Sequence, residues 1–189
     1  MLKRRPFGSI PSGVVIALSI LLLLVLTLSL AACSGATPAS TPDITATPTQ
    51  TTTHSAKPSG PIDAKWIESQ VNGDTVSIPV SEIEDNWNTR FKLQTADGDI
   101  VTMAYILNGV IYVRASICPP CRSQGFSLTG DILVCDTCGT QFKASTGEGI
   151  SGACVNYPKA SVSYTITDGN VVMSRADLVT AYQNTLKPG

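Results

Sequence analysis

The sequence predicts a mainly β protein, with one β-rich domain over residues 61–189 closed by a short C-terminal helix. Three observations predict it. The dipeptides Asp97-Gly98, Asn108-Gly109 and Asp168-Gly169 supply the positive φ angles that tight two-residue hairpins need. The segments beside them are short and either alternate or run continuously apolar, as strands do. Two Cys-x-x-Cys pairs, Cys118/Cys121 and Cys135/Cys138, are separated by 13 residues that themselves read as a hairpin.

Taken in chain order, the first unit precedes that domain. Lys3, Arg4 and Arg5 form a basic start, and 16 of the 20 residues over 13–32 are apolar, ending in Leu30-Ala31-Ala32-Cys33. A basic region, an apolar core and small residues at the cut describe a secretory leader. The Leu-Ala-Ala-Cys ending resembles the lipobox of bacterial lipoproteins, which implies removal of residues 1–32 and lipidation of Cys33. An uncleaved membrane-spanning helix is the alternative, since about 18 apolar residues suffice to cross a bilayer. Either way the rest of the chain is expected at the cell membrane, on its extracytoplasmic face. Residues 33–60 are expected to be a disordered stalk: 16 of the 27 residues over 34–60 are Ser, Thr or Pro, too polar to offset the entropy of ordering. His54, the single histidine, sits in this stalk with no partner residue nearby and reads as solvated.

Within the domain, Ser81-Glu82-Ile83-Glu84-Asp85 suits a short helix, with Ser81 as the cap and acids at the positive end of the helix dipole. Phe91-Lys92-Leu93-Gln94-Thr95 alternates as a strand with one buried face. Ile100 to Leu107 is almost continuously apolar and is expected centrally, covered on both faces. Val110 to Ala115 follows as the next strand. Gly125 to Leu128 and Ile132 to Val134 are short strand candidates around a Thr129-Gly130-Asp131 turn, and Ser163 to Thr167 with Asn170 to Met173 make a later hairpin. Ser174-Arg175-Ala176-Asp177 resembles a capping box with Asp in the last place, after which Leu178, Val179, Tyr182 and Leu186 recur at helical spacing and are expected to pack over the sheet. Trp66 and Trp87 are read as core or rim residues.

The cysteines carry the chemistry. A Cys-x-x-Cys turn aims two thiols at one point, and a hairpin between two such turns brings them together in a zinc-ribbon-like arrangement. Gly139 gives the second turn room to curl. Cys118, Cys121, Cys135 and Cys138 are therefore the candidate metal ligands. Four thiolates suit an iron–sulfur cluster, a mononuclear iron or zinc, and outside the cytoplasm each pair is alternatively a disulfide. Cys154, in Gly152-Ala153-Cys154-Val155-Asn156-Tyr157-Pro158, is either a further member of the site or a small buried apolar residue. The near-neutral charge of −1 excludes a strongly basic nucleic-acid surface, and no Ser-His-Asp set, phosphate loop or carboxylate motif supports a hydrolase. An electron carrier or metal-binding protein is expected rather than an enzyme, with a structural zinc module and a thiol–disulfide redox protein as alternatives.

Several of these segments together resemble a known family. Val76-Ser77-Ile78-Pro79, then Gly109-Val110-Ile111-Tyr112-Val113 leading into Cys118-x-x-Cys121, Gly125-Phe126, Gly130-Asp131-Ile132-Leu133-Val134-Cys135-x-x-Cys138, and Gly152-Ala153-Cys154 with Pro158 resemble the FtrD-like membrane iron–sulfur-containing domain. The resemblance implies an outward-facing iron–sulfur or related centre held by Cys118, Cys121, Cys135, Cys138 and Cys154. It also implies an electron-transfer role beside a membrane iron-uptake permease or another redox partner. The chain departs from the family in its lipoprotein-type leader, in Cys-Pro-Pro-Cys at the first pair and in Gly-Ala-Cys where the family has Gly-Gly-Cys. Cys135-x-x-Cys138-Gly139-x-x-Phe142 with Gly147 and Gly152 also echoes a ligand loop of Rieske domains. An authentic Rieske centre takes two histidines, and the domain has none, so only a Rieske-like β architecture is expected.

Overall fold

The computed structural model describes residues 57–189. The expected leader, Cys33, His54 and the stalk up to residue 56 lie outside the described residues. Among the described residues no helix is long and apolar enough to cross a membrane.

The domain is mainly β, as expected, and its strands form three four-stranded sheets. The first has β1 (Lys65–Trp66), β4 (Asn88–Thr95), β5 (Gly98–Leu107) and β6 (Val110–Ala115) in that order, with β1 parallel to β4 and the rest antiparallel. The second runs β10 (Gly149–Ser151), β9 (Gln141–Lys143), β8 (Ile132–Cys135), β7 (Phe126–Thr129). The third runs β11 (Thr165–Thr167), β12 (Asn170–Ser174), β3 (Thr75–Pro79), β2 (Gln70–Asn72), so its middle pair joins the beginning of the domain to its end. Two helices complete it: α1 (Val80–Asn86) and α2 (Arg175–Thr185).

The turn chemistry explains the hairpins. Asn108-Gly109 and Asp168-Gly169 are the two turn residues between paired positions, and all four have positive φ. At Asp97-Gly98 the pairing of Thr95 with Gly98 shifts the turn to Ala96-Asp97, with Gly98 starting the strand at φ 115°. Likewise Thr129 pairs with Ile132, so only Gly130-Asp131 turn.

Strand β5 is central. Its even side, Ile100, Ala104 and Ile106, packs with Val76, Ile78, Ile83, Phe91, Val171 and Leu178 in one core. Its odd side, Met103, Tyr105 and Leu107, packs with Phe126, Leu128, Leu133 and Phe142 in a second core that also contains Cys118, Cys135 and Cys154. A strand covered on both faces is apolar at nearly every position, which is why its alternation vanished from the sequence.

Both helices differ in detail from expectation. Helix α1 begins at Val80 after an extended Pro79, so Ser81 lies inside its first turn and caps nothing; Val80 N–H is instead satisfied by Gly169 O at 2.9 Å. Helix α2 is capped by Ser174, whose Oγ accepts from Asp177 N at 3.0 Å. It buries Leu178, Ala181 and Thr185, while Val179 and Leu186 are exposed, because Ala181 and Thr185 continue the face that Leu178 begins. Trp87 is half-buried against both cores; Trp66 is exposed, with the Arg90 guanidinium 4.4 Å from its ring centre.

Candidate metal centre

The two Cys-x-x-Cys loops are built alike. After β6, Cys118 N donates to Ser123 O at 2.8 Å and Arg122 N to Cys118 O at 2.7 Å. At the end of β8, Cys135 N donates to Thr140 O at 2.9 Å and Gly139 N to Cys135 O at 2.9 Å. Both loops thus close with bonds spanning five and four residues, and in both the residue after the second cysteine is left-handed: Arg122 at φ 59° and Gly139 at φ 68°. A tight curl of this kind turns each loop's two thiols toward the same side.

The third element is the loop after β10. Gly152 has φ 112°, and a Cβ there would meet Thr140 Oγ1 at 2.6 Å, so only glycine lets the loop lie against the second knuckle. Thr140 Oγ1 accepts from Cys154 N at 3.2 Å and lies 3.2 Å from Cys138 Sγ. One hydroxyl therefore links two of the three loops.

These loops bring all five described cysteines together as free thiols. The sulfurs of Cys118, Cys121, Cys138 and Cys154 all lie within 4.8 Å of one another. Cys118 and Cys138 are 4.0 Å apart, Cys138 and Cys154 3.7 Å. Cys135 lies outside that quartet but 3.7 Å from Cys121. Cys118, Cys135 and Cys154 are buried, whereas Cys121 and Cys138 are partly open, so the pocket has one edge toward solvent.

Electrostatics separate the thiols. Burial pushes the Cys118 thiol far up, helped by hydrogen bonds with Cys154 and Cys121. Burial also raises Cys135. Cys138 goes the other way: burial would raise it, but hydrogen bonds from Thr140 and the neighbouring thiols bring it down to about 6. Thiolate, not thiol, is the ligand form, so the hydrogen bonds at Cys138 favour the form that binds metal.

Two buried cations flank the site. Arg114 Nε donates to Tyr105 Oη at 3.0 Å, Nη1 to Lys159 O at 2.9 Å and Nη2 to Ser145 O at 2.5 Å, tying β6 to the loops on either side of β10. Lys159 Nζ donates to Ile117 O at 2.6 Å, one residue before Cys118. Burial lowers Lys159 to about 8, while the cysteines pull it back up.

The donor set fits a soft metal ion or an iron–sulfur cluster. It is all sulfur, which suits either group, and the closest sulfurs of the quartet, 4.0 and 3.7 Å apart, match the roughly 3.8 Å edge of a tetrahedron around one ion whose metal–sulfur bonds are about 2.3 Å. Sequence spacing pointed to the four knuckle cysteines and to Cys154 as a further candidate; the structure brings all five together and places Cys154 in the tight quartet. Thr140, Arg122 and Lys159 escaped sequence reasoning. Thr140 carried a usable signal, a hydroxyl two residues after a knuckle cysteine. The other two carried none.

A family model described as "Membrane iron-sulfur containing protein FtrD-like" matches residues 83–184. No curated protein matches the chain. Among solved structures, the chain is similar to one titled a complex of reduced oxygenase and oxidized ferredoxin in carbazole 1,9a-dioxygenase, with a TM-score of 0.45 and 18% identity over 55% of this chain and 94% of that one. It is similar also to a ferredoxin of Sphingomonas yanoikuyae B1, with a TM-score of 0.36 and 23% identity over 40% of this chain and 74% of that one.

Proposed function

Since the chain belongs to the FtrD-like family of membrane iron–sulfur containing proteins, we propose that it is an electron-transfer protein tethered to the cell membrane on its extracytoplasmic face. The observation that carries this reading is the convergence of five free thiols with an open edge at Cys121 and Cys138. Cys118, Cys121, Cys138 and Cys154 would hold an iron–sulfur cluster or iron, with Cys135 adjoining through Cys121. Bound there, such a group supplies one-electron redox capacity in a mostly dry pocket. The protein's part is to present preformed loops, so that little reorganises when the charge changes, and to leave one edge for a partner to approach. Lipidation of Cys33 after loss of residues 1–32 would provide the tether, and residues 33–60 the spacer to the domain over 61–189. A membrane iron-uptake permease is the partner this placement suits.

The test is metal content and spectrum of the full chain purified without air. Iron, with or without acid-labile sulfide, and visible absorption that bleaches on reduction are expected. A colourless protein carrying one zinc and no reducible signal would overturn the electron-transfer role. Substituting any one of Cys118, Cys121, Cys138 and Cys154 by Ser is expected to cut bound metal at least about tenfold. Cys135→Ser distinguishes a four-thiol centre, which it spares, from a five-thiol one, which it empties. Cys33→Ala is expected to move the chain from the membrane fraction to the soluble one; continued retention would favour an uncleaved helix.

A further inference from the structure

Lys159 is the most buried charged side chain among the described residues, 1% exposed. Its ammonium stands 4.5 Å from the centre of the Phe142 ring and 5.3 Å from that of Phe126. Its one hydrogen bond is to a carbonyl, Ile117 O. Neither of the surface ion pairs Lys92–Asp99 and Lys143–Glu148 involves it. Lysine is almost never this buried unless paired, because an ammonium taken out of water without an anion is strongly disfavoured. The carbonyl it binds immediately precedes Cys118, and the two rings it faces, Phe126 and Phe142, belong to the core that contains Cys118, Cys135 and Cys154.

We propose that Lys159 is the counter-charge of the thiolate centre, holding its metal and setting its potential without ligating it. The proposal rests on the five-thiol pocket being a metal centre. Loading a divalent ion onto four cysteines releases the thiol protons and leaves a net negative site, which a fixed ammonium beside it favours. Reduction adds one electron and breaks no bond, so the site becomes more negative by one charge while the lysine stays protonated; the reduced form gains more from the ammonium than the oxidised form does. The aromatic walls fit the same role. They exclude water, which would screen the charge, and their ring faces give the ammonium a favourable surface in the metal-free state. A lysine that merely fills space and binds Ile117 O would affect stability and neither of the other quantities.

Two measurements on the full chain separate these roles, using Lys159→Met, which keeps the bulk, and Lys159→Arg, which keeps the charge. The first is Co²⁺ affinity by competition against a chelator, after removal of native metal under reducing conditions. The second is the midpoint potential of the protein as purified, titrated through mediator dyes with dithionite as the electron donor. Lys159→Met is expected to bind Co²⁺ about tenfold more weakly and to shift the reduction equilibrium about tenfold toward the oxidised form, about 59 mV for one electron. Lys159→Arg should stay near wild type in both. If Lys159→Met changes only the melting temperature, the counter-charge role is wrong. Should the Met variant not fold, Lys159→Gln removes the charge and keeps a donor for Ile117 O, and the same two outcomes apply. A chain with no redox signal whose Lys159→Met variant still loses Co²⁺ affinity would refute the electron-transfer role and leave the counter-charge standing; a redox-active chain indifferent to the substitution would do the reverse.

Discussion

Tyr105 and Arg114 show how single residues position the centre from outside it. The Tyr105 hydroxyl donates to Ala144 O at 2.5 Å and accepts from Arg114 Nε, while the same guanidinium holds Lys159 O. Burial raises the phenol to about 12 against the pull of Arg114, from an ordinary 10.0. A phenol whose folded value is raised contributes stability that is complete below the unfolded value and is lost as pH climbs through the folded one. Tyr105→Phe is therefore expected to cost about 1–3 kcal/mol at neutral pH, from the partners it leaves unpaired. The gap to wild type should narrow between about pH 10 and pH 12. Urea midpoints of the two proteins across that range check it, and a constant gap would contradict the assignment. Gly152→Ala belongs to the same scale: its Cβ would sit 2.7 Å from Thr140 Cα, backbone that cannot yield, at a φ of 112°. Displacement of the Cys154 loop by about 1–3 kcal/mol of strain is expected, read as a lower metal content and a lower melting temperature. Cysteine spacing was legible because metal sites demand it in sequence. Arg122 at φ 59° was not, because the left-handed turn that Gly139 advertises is made there by a residue with no such preference.

At the level of elements, local chemistry decided what could be read. The β4–β5–β6 and β11–β12 hairpins announced themselves through Asp-Gly and Asn-Gly, and the β7–β8 hairpin through Gly130-Asp131. Strands β1, β2, β9 and β10 are two or three residues long and are ordered by their neighbours, β1 by a parallel pairing with β4 that no local signal specifies. Strand β3 pairs with β12 across some ninety residues of chain, and a pairing that distant leaves no mark in either segment. The helix at the C-terminus was legible at its start and in part along its face, where Leu178 and Tyr182 meet the core and Val179 and Leu186 do not. Ser174 caps it through Asp177 N, so Ser174→Ala is expected to lower stability by about 1 kcal/mol, measured by denaturant unfolding. The buried stripe runs through Ala181 and Thr185, and Thr185 Oγ1 accepts from Ala160 N at 3.0 Å, so a polar residue is core here because it satisfies a loop amide.

For the whole molecule the decisive feature is that two cores share one strand. The core on the even side of β5 unites β3, β4, β12 and both helices and contains no cysteine. The core on the odd side contains Cys118, Cys135 and Cys154, and the short β7–β10 sheet gives it only four aliphatic or aromatic side chains, Phe126, Leu128, Leu133 and Phe142, which pack with Ile62 and Ala144 on β5. Short strands with so few apolar partners depend on whatever clamps their ends, and the thiol site does that at the ends of β6 and β8 and in the loop after β10. Metal binding to such a site is folding free energy for the part it joins. Removing the metal with a chelator under reducing conditions should therefore act unequally. Amide hydrogen exchange is expected to accelerate by at least about tenfold, corresponding to about 1.4 kcal/mol of lost local stability, in β7 to β9 and in the loops around Cys118 and Cys154. Val76, Ile78 and Val171, buried in the cysteine-free core and paired across β3 and β12, should keep their protection. Equal acceleration in both regions would mean that the shared strand makes the domain one cooperative unit, and that the centre supports the fold globally rather than the half that surrounds it.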